Sequence, residues 1–316
     1  MGIFDKLKEP VFIKSNSQAE SQLAQLKKLS AKCDDDLKEE IEQEIKILDA
    51  GIFGEETIKF ELKNSHMPMY VLHDLYLEHN GLTAQIDYLI ITRKLIFVIE
   101  CKNLYGNIEI NSNGDFIRSF SYGKHTKKEG IYSPITQNKR HLDLIKEIRL
   151  DEINGFLAKK SFEKNFDNSY HSVVVLSNPK TVLNAKYAKK DVKNQVIKAD
   201  QLIEYIKRTN QNCEFIARND KEMKEAADLW LSKHKKSEVD YLEKYRNMIF
   251  ESAPEPPVII KTEQRKEDNT KETEKILCPK CGAEMVKRTA TKGVNSGSVF
   301  YGCSNFPRCR GIINIK

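Results

Sequence analysis

The chain has 316 residues, 31% of them charged and 40% hydrophobic, with a formal net charge of +6. That length suits one sizeable domain with a small companion. The polarity excludes a membrane protein, because no apolar run approaches the roughly 20 residues that a span needs.

Residues 16–48 are rich in Glu, Lys, Gln, Leu and Ala. Leu23, Leu26 and Leu29, then Ile41, Ile45 and Leu48, recur at helical spacing. They predict a helical N-terminal extension over 1–48, interrupted near Asp34–Asp36. Gly51–Gly54 predicts a break, with a helix following through Leu62. Strands are predicted at Tyr70–Leu77, Gln85–Ile91, Leu95–Lys102, Asn107–Ile110 and Phe116–Phe120, and Asn80-Gly81 is a turn signal. A polar, basic loop at Gly123–Gly130 leads to Pro134 and a helix from about Ile135 to Ile148. Ser172–Leu176 and Val196–Ala199 read as further strands, and Asp200 as the cap of a helix over Gln201–Arg208. Lys221–Phe250 reads as one long charged helical stretch. Helices alternating with buried strands make the fold class α/β.

Pro254, Pro256 and Pro257 precede a charged run that cannot bury enough apolar surface to fold, so 251–276 is expected to be a flexible linker. The expected division is therefore an extension (1–48), a main domain (49–210), a helical segment (211–250), the linker (251–276) and a small C-terminal domain (277–316). Met1–Lys6 has no signal-peptide anatomy, and position 6 lacks the Ser or Thr of a myristoylation site. A cytoplasmic location and no membrane partner are expected.

Asp87, Glu100 and Lys102 stand out because they sit in two strongly apolar strands. Burying an unpaired charge is costly or forces a pKa shift, so something must compensate these three. Glu100 and Lys102 project from one face of their strand. With a two-residue turn at Arg93-Lys94, Asp87 would lie opposite Glu100 and Gln85 opposite Lys102. Two carboxylates at that spacing repel unless a cation such as Mg²⁺ sits between them. Such a group suits phosphodiester hydrolysis: the metal polarises a phosphoryl oxygen and activates water, and the lysine offsets developing charge. Glu55 shares the helical stripe of Ile58 and Leu62 and points toward the core, whereas Glu56 is rotated away. The competing reading is a buried acid–lysine pair that only holds the sheet together. His66, His73 and His79 lack metal-motif spacing and read as structural. His141 stays outside the catalytic set.

Gly54-Glu55, Ile86-Asp87, Phe97-Val98-Ile99-Glu100-Cys101-Lys102-Asn103 with Gly106, and Ser133-Pro134-Ile135-Thr136-Gln137 with His141 together resemble the NERD, or nuclease-related, domain over roughly residues 49–180. That family is similar to the PD-(D/E)XK endonuclease-like superfamily. The resemblance implies a restriction-endonuclease-like core, a mixed central sheet flanked by helices, with a site using Mg²⁺ or Mn²⁺. Glu55, Asp87, Glu100 and Lys102 fall on its catalytic motif positions, and Gln137 on the helix that follows. Ser133 replaces the Asn common before the proline.

Cys278-Pro-Lys-Cys281 and Cys303-x5-Cys309 are 21 residues apart, which suits a tetrahedral structural Zn²⁺. About 40 residues cannot build an adequate core without such a staple. Two disulfides would conflict with the cytoplasmic expectation. Cys278 to Lys316 holds seven basic residues and one acid, which accounts for the whole net charge of +6. Lys287, Arg288, Arg308 and Arg310 can neutralise phosphate, and Phe300, Tyr301 and Phe306 can stack on bases, unless they pack in the ribbon's own core. This segment closely resembles the C-terminal zinc ribbons of bacterial type I topoisomerases, which implies binding to single-stranded DNA.

The expected function is a Mg²⁺-dependent DNA nuclease with a DNA-binding ribbon. A non-catalytic nucleic-acid-binding protein on the same fold is the alternative, and RNA remains open as substrate. Cutting both strands of a duplex with one site per chain would call for a homodimer.

Overall fold

The computed structural model describes residues 6–33, 35–122, 125–252, 276–290 and 299–314. The chain divides into two units, Met1–Pro254 and Glu255–Lys316. The first begins with strand β1 (Pro10–Lys14) and helices α1 (Gln18–Ser30) and α2 (Asp35–Lys63). Strands β2 (Met69–His79), β3 (Leu82–Ile91), β4 (Ile96–Lys102), β5 (Asn107–Ile110), β6 (Phe116–Tyr122) and β7 (His125–Ile131) come next. Helices α3 (Pro134–Glu152) and α4 (Phe156–Ser169) lead to β8 (Tyr170–Leu176), β9 (Leu183–Asn184), α5 (Lys190–Lys193) and β10 (Val196–Lys198). A 3-10 turn (Ala199–Gln201) precedes α6 (Leu202–Gln211), α7 (Asp220–Lys233) and α8 (Glu243–Ser252).

The expected mixed central sheet flanked by helices is present. Its six strands run in the order β1-β2-β3-β4-β8-β10. The β2–β3 and β3–β4 pairs are antiparallel hairpins, and β1–β2, β4–β8 and β8–β10 are parallel. Because side chains alternate across a strand, β4 sends Ile96 and Val98 to one face and Phe97 and Ile99 to the other. The first face packs under Leu144, Ile145 and Ile148 of α3 and Met223, Ala227 and Trp230 of α7. The second packs under Ile58 and Leu62 of α2 and Ile206 of α6. A smaller sheet, β7-β6-β5-β9, joins through Ile108, Ile110 and Phe116.

Several local expectations change. α2 runs without interruption through Gly51–Gly54, which is no helix break. Gly54 serves close packing instead: a Cβ there would stand 2.5 Å from Ser177 Oγ and 2.7 Å from the Asn103 Cβ. Gly54→Ala should therefore destabilise the main unit by about 1–3 kcal/mol, the usual cost of overpacking. Urea unfolding checks this, and an unchanged midpoint would refute it.

Much of the predicted loop at Gly123–Gly130 is strand β7, paired with β6 from Phe116↔Ile131 to Tyr122↔His125. It carried no apolar alternation because it is an edge strand, where exposed lysines such as Lys127 and Lys128 are ordinary. The charged stretch 221–250 is two helices. After α7 the backbone crosses β2, with Lys235 N–H donating to Tyr76 O (3.0 Å) and Tyr76 N–H to His234 Nδ1 (3.2 Å). Asp200 lies inside the 3-10 turn, and α6 starts only at Leu202. β1 and α4 had no anticipated counterpart. The expected interruption falls between α1 and α2, with Asp34 outside the described residues.

α1, the first half of α2 and α8 form a separate cluster around Leu26, Ile41, Leu242 and Tyr245. Lys244 bridges Glu40, and Arg246 Nη2 donates to Gln25 Oε1 (3.1 Å). No helix among the described residues is long and apolar enough to cross a membrane.

The C-terminal unit holds a three-stranded antiparallel sheet, β11 (Met285–Thr289), β12 (Val299–Cys303) and β13 (Ile312–Asn314). The linker expected at 251–276 lies, from residue 253 to 275, outside the described residues.

Candidate active site

The β3–β4 ladder opens at one end, and the charged residues gather there. Its register runs from Ile91↔Ile96 to Tyr88↔Ile99, as a turn centred on Arg93-Lys94 requires, and then stops. The side-chain alternation slips at the same point. Ile86 packs in one core with Leu89 and Ile91, whereas Tyr88 and Ile90 pack in the other, so Asp87 occupies the step. β2 slips alongside, at Asp74, which takes a positive φ of 54°. That conformation is uncommon for a non-glycine residue, and fixed contacts hold it here. The Asp74 carboxylate accepts hydrogen bonds from Gln85 Nε2 (2.7 Å) and from Gln18 N–H at the start of α1 (2.8 Å).

Where the ladder ends, the Asp87 carboxylate replaces a backbone acceptor and takes the Cys101 N–H at 2.6 Å. Asp87 is therefore not a ladder partner of Glu100, and Gln85 pairs with Tyr76 rather than Lys102. Glu100 is 1% exposed. Its Oε1 lies 2.7 Å from Lys102 Nζ, and its Oε2 is buried without a hydrogen-bond partner. Lys102 also donates to Gln137 Oε1 (3.2 Å) on the first turn of α3, whose start is fixed by Pro134 and by Ser133 Oγ capping Thr136 N–H. Glu55 reaches in from α2, while Glu56 bridges Lys59 outside.

These groups line one cleft of about 420 Å³. A larger cavity of about 960 Å³, at the N-terminal ends of β4 and β8, contains none of them. Burial, reinforced by the Glu100 and Glu55 charges, pushes the Asp87 carboxyl well above the usual range. Burial also raises Glu100, although Lys102 opposes it. Burial works against the Lys102 ammonium, but Glu100 and Asp87 more than offset it, and its pKa rises. Mutually destabilised carboxylates and an orphaned buried oxygen are what a divalent cation would satisfy. Mg²⁺ is bound by one or two carboxylates with water completing its shell, so the donor set fits it without a full protein cage.

In the C-terminal unit, Cys278, Cys281, Cys303 and Cys309 bring their sulfurs within 4.8 Å of one another. Cys278–Cys309 and Cys281–Cys303 stand at 3.7 and 3.4 Å. A tetrahedron with Zn–S bonds of about 2.3 Å has edges of about 3.8 Å, so the four cysteines fit zinc. Gly311 allows this approach, because a Cβ there would lie 2.2 Å from Cys278 Sγ. Tyr301 packs in the ribbon's small core. Phe306 is 56% exposed, with the Arg288 guanidinium 5.9 Å from its ring centroid. Arg288 pairs across strands with Phe300, which puts both on one face. Lys287, Arg308 and Arg310 are exposed.

The family model described as the nuclease-related domain matches residues 50–177, and that of the topoisomerase DNA-binding C4 zinc finger matches residues 275–316. The chain carries a NERD domain and a topoisomerase-type zinc ribbon. No curated protein and no solved structure gives a significant match.

The NERD domain brings Glu55, Asp87, Glu100, Lys102 and Gln137 to one cleft. Two histidines that the sequence reading kept outside the catalytic set stand against these groups. His73 is 2% exposed. Its Nε2 meets Glu55 Oε2 at 2.7 Å, and its ring stacks on Tyr88 at 4.5 Å. Tyr88 in turn donates to the Glu55 carbonyl (2.9 Å), so the pair clamps Glu55. His141 Nδ1 lies 3.8 Å from Glu100 Oε2, and neither atom has a hydrogen-bond partner. Burial, with Lys102 nearby, lowers His141 to about 4, so it is neutral at pH 7. The one available signal for His141 was its place one turn after Gln137 on the same helix. Nothing in the sequence marked His73.

Proposed function

We propose that the NERD domain hydrolyses phosphodiester bonds in DNA with Mg²⁺ or Mn²⁺, and that the zinc ribbon binds DNA, single strands in preference, to keep substrate near the site. Asp87 and Glu100 would hold the metal, with Glu55 as the third acid. When bound, it would polarise a phosphoryl oxygen and lower the pKa of a coordinated water. Lys102 stays protonated beside Glu100, so its role is to neutralise charge growing on the phosphoryl oxygens. Gln137 orients that ammonium, and His73 orients Glu55. On the ribbon, Phe300 and Phe306 stack with bases while Arg288, Lys287, Arg308 and Arg310 meet phosphates. Tyr301 supports the ribbon's own core. The cytoplasm is the expected setting, and a homodimer is needed only if both strands of a duplex are cut.

Glu100 carries this reading: a buried carboxylate has one oxygen on Lys102 and the other without a partner, in the floor of a cleft shared with Asp87 and Glu55. Purified protein incubated with single- and double-stranded DNA should cleave in Mg²⁺ or Mn²⁺ and not in EDTA. Lys102→Ala should slow cleavage by about 10²–10³-fold, the scale for losing one preorganised charge in a buried site. No metal-dependent cleavage of any substrate would leave a nucleic-acid-binding protein on this fold.

A further inference from the structure

The cleft has two unlike walls. Its floor carries the charges, Asp87, Glu100 and Lys102, at the open end of β3 and β4. The opposite wall comes from α1, α2, α8 and the turn that leads into α8, with Gln18 and Gln22 of α1 and Tyr241 of that turn at its surface. Among the described residues that line it there is no lysine or arginine, and besides Glu55 its one charged side chain is the exposed Glu44 of α2. It offers amide groups, which can pair with base edges, and an aromatic ring 52% exposed, on which a base can stack. It is also well anchored: Asp74 holds the first turn of α1, Leu26, Ile41, Leu242 and Tyr245 form the core behind it, and Arg246 ties α8 to Gln25.

A phosphate-directed floor facing a base-directed wall fits a nucleotide that presents phosphate and base at once. In a duplex the bases are stacked and paired inside, and only phosphates and groove edges are accessible. At about 420 Å³ the cleft has the dimensions of a small-molecule site rather than of a groove for a double helix. We infer that the cleft takes a nucleotide whose base is unpaired, so the substrate is single-stranded DNA or an unpaired flap and not intact duplex. This rests on the phosphodiesterase reading, but the recognition it describes lies in the wall, apart from the residues assigned to chemistry. The wall is thus a specificity element.

Two measurements on the full chain test it. In Mg²⁺, a single-stranded DNA circle and a flapped duplex should be cut at least about 10²-fold faster than a covalently closed relaxed duplex circle. Closed duplex cut within threefold of the single strand would overturn the inference. A single-stranded RNA of the same sequence cut as fast as the DNA would overturn its assignment to DNA. The second measurement needs no turnover. Gln22→Cys carrying a photo-cross-linker, held in EDTA with the flapped DNA, should label the unpaired strand. Labelling of the paired arm, or of nothing, would overturn the inference. Flap labelling without cleavage would sink the nuclease reading while leaving single-strand recognition intact.

Discussion

Asp87→Asn abolishes metal-dependent cleavage, by at least about 10³-fold, and at the same time raises the thermal stability of the metal-free protein at neutral pH. Both effects follow from one half-buried carboxyl beside two others. The loss of activity is expected because Asn offers no negative charge to a dication, and a buried preorganised charge is worth at least as much as a single lost hydrogen-bond donor in such a site. The gain in stability follows from linkage. Burial and the Glu100 and Glu55 charges raise the Asp87 pKa in the folded state, so folding favours its protonated form. The stability it contributes is present below the unfolded carboxylate pKa and is lost as pH rises through the folded value. At neutral pH, ionising Asp87 therefore works against folding, and a neutral amide removes that penalty. Asn keeps an oxygen that can still accept the Cys101 N–H. Thermal melts of both proteins in EDTA from pH 5 to 9 check it: the gap should widen with pH. A variant less stable than the parent at every pH would show that Asp87 is merely a structural acceptor.

Removal of zinc unfolds the ribbon and leaves the NERD domain standing. Structural zinc supplies about 10–16 kcal/mol in small domains of this kind, more than a three-stranded sheet with so small a core can replace. Cys303→Ser, or a strong chelator, should therefore release one equivalent of zinc and erase the ribbon's protease resistance. Single-strand affinity should fall by about tenfold or more as the stacking and phosphate groups lose their arrangement. The main unit has its own cores and should keep its melting temperature. Gly311→Ala should produce a milder version, because its Cβ would meet Cys278 Sγ while all four ligands remain. Zinc content by colorimetric release, read beside limited proteolysis, separates these outcomes. A Cys303→Ser protein that binds single strands as tightly as the parent would remove the ribbon from DNA binding.

The sequence by itself determined the features that short-range pattern encodes. Apolar runs marked the two hairpin strands, and a two-residue turn at Arg93-Lys94 gave their register up to Tyr88↔Ile99. Helical periodicity put Glu55 on the stripe of Ile58 and Leu62, which are fully buried. Cysteine spacing specified the zinc ligands, because a tetrahedral ion constrains spacing directly. The tertiary structure decided what depends on approach between distant segments. Gly54 looked like a helix break because glycine is a poor helix former, yet contact with Ser177 and Asn103 is what requires it. Alternation puts His73 on the α2-facing side of β2 with Met69 and Val71, but only the packing of α2 over that face brings Glu55 within reach of it. The wall above the carboxylates joins α1 to α8, more than two hundred residues apart, through Leu26 and Tyr245. Periodicity reports which face of an element is apolar, but not which other element covers it. That is settled by packing of the whole chain, where each buried charge and each close contact must be satisfied together.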